Sequence, residues 1–67
     1  MAKKYDLLGG IIRYENGELT DEKALILFSE LIKNGMAWTL QGHYGRMATD
    51  LIDKGYIDRS GKILKEV

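Results

Sequence analysis

The sequence contains no cysteine, no proline and a single histidine, and its 67 residues include one tryptophan and one phenylalanine. Each scarcity removes a class of function. Without cysteine there is no disulfide framework and no thiolate zinc site. One histidine supplies neither a histidine dyad nor a multi-histidine metal centre. An excess of charge is also missing: 10 Lys+Arg balance 10 Asp+Glu, for a formal net charge of zero. That balance argues against a non-specific nucleic-acid coat, which needs a basic excess. No apolar run approaches the ~20 residues of a membrane span, and no signal-peptide core follows Lys3 and Lys4. The expectation is one small domain over residues 1–67, with no cofactor, no metal and no membrane partner.

Size sets the next constraint. A domain this short buries only ~60% of the surface its unfolded chain exposes. Ordering the chain costs on the order of 100 kcal/mol in conformational entropy. A hydrophobic fraction of 45% offsets that narrowly, so either the packing is efficient or a second copy covers part of the apolar surface. Apolar periodicity and zero net charge exclude a disordered chain.

With proline absent, Gly17, Gly35 and Gly55 divide the chain into four pieces. The second piece is the clearest. Thr20 is a good N-cap, and Asp21 and Glu22 follow in the first turn, where carboxylates favour the helix dipole. Ala24, Leu25, Leu27, Phe28, Leu31 and Ile32 then cluster on one side, which predicts an amphipathic helix over about 21–34, closed by Asn34-Gly35. The third piece predicts a helix from about Leu40 to Lys54, capped by Thr39 and ended by Gly55, with Leu40, Tyr44, Met47, Ala48 and Leu51 on its inner face. Trp38, between the two, is expected to fold back over the helix pair as a hydrophobic plug.

The ends are less decided. Leu7-Leu8-Gly9-Gly10-Ile11-Ile12 reads as a hairpin around Gly-Gly or as a short helix capped by Asp6, although two glycines would cost that helix ~2 kcal/mol against alanine. Tyr56 to Leu64 reads as a short hairpin around Asp58-Arg59-Ser60-Gly61, or as a loose tail. The reading is a mainly α, compact three-helix domain with a short C-terminal hairpin or extension. An α+β winged-helix-like arrangement is the alternative.

Catalytic candidates are few. Ser29 and Ser60 have no obvious base nearby, and Asp50 and Asp53, three apart on the third helix, read as a solvated acidic edge. No phosphate-binding glycine loop is present. An enzyme is therefore not expected. The unusual stretch is Gln41-Gly42-His43-Tyr44-Gly45-Arg46. Tyr44 points inward, while Gly42 and Arg46 point away, with Thr49 and Asp53 continuing their stripe. Two glycines at a helix start are costly, and Arg46 lies on the wrong half of the helix for the dipole. This is the composition of a contact surface for a carboxylate or an anion. The structural alternative is that the glycines admit a neighbouring element while Arg46 pairs with Glu15 or Glu18. Ile26 sits opposite the apolar stripe of its helix, among Glu22, Ser29, Glu30 and Lys33, and marks a possible homodimer contact. Tyr5, Lys3, Lys4, Arg59, Lys62 and Lys65 read as solubilising charge at the two ends, or as a basic surface if the ends adjoin.

Three strings carry a resemblance: Tyr-Glu-Asn-Gly-Glu-Leu at 14–19, Ala-Trp-x-Leu-Gln-Gly-His-Tyr-Gly-Arg at 37–46, and Leu-Ile-x-x-Gly at 51–55. Together they make the chain from Ile11 to Ile57 similar to a family of small uncharacterised proteins of tailed bacteriophages. Met47 stands where that family usually has threonine. The resemblance favours the helix for residues 7–15. It also groups Trp38, Gln41, Gly42, His43, Gly45 and Arg46 as a binding unit with Tyr44 beneath. It implies an accessory protein in the bacterial host cytoplasm that binds a host or phage protein. A nucleic-acid partner, read from the winged-helix alternative, and self-association through Ile26 are the rivals.

Overall fold

Residues 7–15 are helical, so the hairpin is set aside for α1, Leu7–Glu15. The computed structural model describes residues 5–65; Lys3 and Lys4, placed above in a basic patch, lie outside them. The glycine pair is tolerated because both glycines are in close contact. Asp6 Oδ1 accepts the Gly9 N–H at 3.0 Å, and its carboxylate fills the space a Gly9 Cβ would need. A Cβ on Gly10 would stand 2.8 Å from the Tyr5 hydroxyl and 3.1 Å from Leu27 Cδ1. The cap and the close α1 approach offset the glycine penalty.

Helix α2, Asp21–Lys33, matches its expected bounds. Its Thr20 cap accepts the Lys23 N–H at 3.3 Å. It is the central element, with Leu25, Leu27, Phe28, Leu31 and Ile32 all buried. Gly35 follows in the left-handed region at φ +73°, and a 3-10 turn, Met36–Trp38, leads toward α3, Gly42–Asp53. Helix α3 starts later than expected. Thr39 does not cap it; its hydroxyl donates to the Met36 carbonyl at 3.2 Å and closes the preceding turn. Gln41 takes the cap position with no side-chain hydrogen bond.

The core joins α2 to Ala37, Tyr44, Ala48 and Ile57. At its upper edge Tyr14 meets Phe28 edge-on at 5.3 Å between ring centroids and Tyr44 at 5.6 Å. Met47, expected on the inner face of α3, is 38% exposed instead, because it lies at the rim, over a small apolar groove with Ala24, Leu25, Phe28 and Leu51.

The C-terminal segment is anchored rather than loose. One antiparallel bridge pairs Ile57 with Ile63, and among the described residues there is no strand, so the winged-helix-like alternative has no wing. Ser29, placed above on the solvent side of α2, is buried because this turn covers it. Its hydroxyl donates to the Gly61 carbonyl. Gly61 has φ +94°, and a Cβ there would stand 2.7 Å from the Ser29 carbonyl oxygen and 3.0 Å from the Lys33 nitrogen.

Inside the turn Asp58 Oδ1 accepts the Ser60 hydroxyl and the Ser60 and Lys62 N–H groups. The Ser60 hydroxyl, then the Lys62 N–H, hold its carboxyl below the usual aspartate range. A depressed folded pKa adds stability above the ordinary aspartate value, ~3.9, and loses it as pH falls through the folded one. Protection of the Ser60 and Lys62 amides, taken as exchange relative to the intrinsic rate at each pH, should therefore decrease once the pH drops below that value. In Asp58→Asn protection should lose this acid dependence; an unchanged pH profile would exclude Asp58 as the clasp.

Candidate functional site

The six residues singled out in the sequence occupy the 3-10 turn and the first turns of α3, but the structure distributes them over two flanks. Trp38 is not a plug: 51% of it is exposed. On a 3-10 turn successive side chains point about a third of a revolution apart. Ala37 takes the inward direction, at 1% exposure, and this turns Trp38 outward. The Trp38 ring lies over Gly45, where a Cβ would stand 3.8 Å from Cε3 and 3.4 Å from the Ala37 carbonyl oxygen. Gly45 thus admits the turn, as the structural alternative had it, while a Cβ on Gly42 would meet nothing within 4 Å.

On the other flank His43 packs at 4.2 Å from Tyr44 and lies nearly parallel to Tyr14 at 6.4 Å. It extends the aromatic edge toward α1. Between the flanks, Gln41, Gly42 and Arg46 are exposed. Arg46 has no ion-pair partner among the described residues. The alternative that paired it with Glu15 or Glu18 is not met: no ion pair of either is present among the described residues, and Glu15 Oε2 accepts the Tyr44 hydroxyl at 2.7 Å. Burial, and then the Glu15 carboxylate, push the Tyr44 phenol well above its ordinary range.

Beyond Gly45 the exposed stripe of α3 runs into a groove of about 320 Å³ lined by Trp38, Thr49, Ile52, Asp53 and Arg59. Thr49 is held there by its own hydroxyl, which donates to the Gly45 carbonyl at 2.8 Å. Ile52 was not legible as a site residue, and Arg59 was read only as part of a basic surface at the chain ends. Arg59 reaches the groove from the docked C-terminal turn, and no local pattern links it to Trp38. Asp50 pairs with Lys54 at 3.0 Å on the solvent side of α3. No group of three His, Asp or Glu suited to a metal ion occurs among the described residues. None of the described helices is long and apolar enough to cross a membrane.

A family model spans residues 1–67, the C-terminal turn included. The chain belongs to the family described as "Domain of unknown function (DUF7417)". No curated protein and no solved structure matches it. The family's extent agrees with the fold of this DUF7417 chain, in which the last turn packs on α2 and supplies one wall of the groove. Ile26 is 37% exposed, as expected from its place on α2. It borders a separate groove with Tyr5, Gly10, Arg13 and Lys23.

Proposed function

We propose that this DUF7417 chain is a bacteriophage accessory protein without catalytic activity that acts in the host cytoplasm by binding a host or phage protein. The contact surface is the Trp38–Arg46 face. The observation that carries this reading is the half-exposed Trp38, which shares a groove with Arg59; neither Arg59 nor Arg46, exposed on α3, has an ion-pair partner among the described residues. Roughly 100 Å² of indole left in water forgoes about 2.5 kcal/mol of burial in a domain with little to spare. Tryptophan and arginine are the residues most enriched among those that dominate binding energy at protein interfaces. Gly42 leaves the helix start open to a close partner, and Gln41 offers an amide beside it. The phage setting rests on the resemblance of residues 14–19, 37–46 and 51–55.

Capture from bacterial lysate tests the proposal. Wild type should retain a specific protein, Trp38→Ala and Arg46→Ala should each weaken that retention about tenfold, and Leu64→Ala, at an exposed apolar residue elsewhere, should match wild type. All three side chains are exposed, so circular dichroism should show the same fold throughout. No specific capture, or equal capture by all variants, would remove the proposal. Salt-dependent retardation of duplex DNA by wild type would shift it to nucleic acid.

A further inference from the structure

Helix α1 has an apolar surface on both sides. Leu7, Ile11 and Tyr14 pack on the core, while Leu8 is 70% and Ile12 53% exposed one turn apart on the outer side. Only Arg13 and Glu15 are charged among its nine residues. A helix that is hydrophobic all round belongs in an interior, and this one is covered on one side alone. Tyr5, 39% exposed, and Ile26 on α2 border a neighbouring groove that includes neither Leu8 nor Ile12. Leu8 and Ile12 are two of the seven large exposed hydrophobic residues of the described chain.

The charges bordering this face identify its occupant. Asp6 stands at the start of α1 and Arg13 two turns later, so both lie on one side of the helix. Neither has an ion-pair partner among the described residues. A helix laid antiparallel across α1 satisfies both if it carries the same pair in the same order. Around a two-fold axis, Asp6 of each copy then faces Arg13 of the other, and Leu8 faces Ile12. We infer that α1 is the interface of a homodimer, a two-fold antiparallel α1–α1 contact in which Leu8 and Ile12 interlock and Asp6 pairs with Arg13. Such an interface is self-complementary, as a two-fold axis requires. A pairing limited to one short helix and its flanks falls in the small interface class, so the dimer is concentration-dependent. The inference rests on a different face from the proposed partner surface and stands without it.

Sedimentation equilibrium over a range up to about 1 mM is the test. The mass should rise with concentration from 7.6 kDa toward twice that value. In the double variant Leu8→Lys/Ile12→Lys the dissociation constant should increase by at least about tenfold, with an unchanged circular dichroism spectrum, whereas Leu64→Lys should assemble like wild type. The absence of native cysteine makes a second readout clean. Mixed Leu8→Cys and Ile12→Cys populations should form the cross-linked heterodimer faster than either forms its own disulfide. A monomer mass at every concentration would overturn the inference. So would a dimer indifferent to the double lysine variant, or homotypic cross-links that outpace the mixed one.

Discussion

Gly61→Ala should lower the stability of the domain by about 3 kcal/mol. Two costs combine. At φ +94° an L-residue with a Cβ is disfavoured by roughly 1–2 kcal/mol. The new methyl would also sit 2.7 Å from the Ser29 carbonyl oxygen and 3.0 Å from the Lys33 nitrogen. Both atoms belong to the backbone of α2, which cannot yield without disturbing the central helix, and overpacking of this kind costs about 1–3 kcal/mol. For a chain of this size total stability is roughly 3–10 kcal/mol, so the substitution removes a third or more of it. The melting temperature should fall by about 12–24 °C. Gly17→Ala is the control. Gly17 also has a positive φ, +74°, but nothing lies within 4 Å of its Cβ position, so only the backbone cost of about 1 kcal/mol remains. Equal losses in the two variants would show that the C-terminal turn does not dock on α2 as described.

Tyr44→Phe should cost about 2 kcal/mol at neutral pH, and the deficit should close as the solution becomes alkaline. The phenol is 1% exposed, and its hydroxyl donates to Glu15 at 2.7 Å; hydrogen bonds to charged acceptors contribute about 1.5–3 kcal/mol. In the unfolded chain tyrosine ionises near pH ~10. In the folded chain burial, and then the Glu15 carboxylate, raise that value. A raised folded pKa means that the stabilisation is complete below the unfolded value and declines as pH rises through the interval above it. Wild type should thus lose up to ~1.4 kcal/mol per pH unit in that interval through Tyr44 alone. The phenylalanine variant lacks this contribution, so the two denaturation curves should converge between neutral pH and about pH 11.5. Chemical denaturation at a series of pH values provides the measurement. Parallel curves would show that the Tyr44–Glu15 hydrogen bond contributes nothing specific.

Legibility followed the range of the interactions. Helix α2 could be read in full because its cap, acidic first turn and apolar stripe are all local to residues 20–35. Helix α1 could not be separated from a hairpin on propensity, because what makes Gly9 and Gly10 tolerable is an Asp6 carboxylate folded over one and Tyr5 and Leu27 packed on the other. The Arg46 pairing failed for a related reason. Charge matching suggested Glu15 or Glu18, but the Glu15 carboxylate accepts the Tyr44 hydroxyl, and Arg46 pairs with neither among the described residues. Ser29 looked like a solvent-side residue of an amphipathic helix; the carbonyl that buries it lies 32 residues further along. Trp38 was misplaced by size alone, since Ala37 fits the narrow inward position of the turn and the indole does not. Of the candidate site, the residues on α3 and its lead-in were visible as a motif. The wall built from Arg59 depends on the docked turn and has no sequence neighbour to announce it.

The placement of Trp38 gives the domain a built-in optical reporter. It is the one indole in the chain, and it stands at the groove rather than in the core. With half of the residue covered, its emission starts from a partly solvent-relaxed state. A partner that covers the groove will shift it to the blue, whereas unfolding, which frees the ring from Gly45, will shift it to the red. Ligand titrations can be followed by fluorescence without attaching a dye, and the direction of the shift will separate occupancy of the surface from loss of the fold.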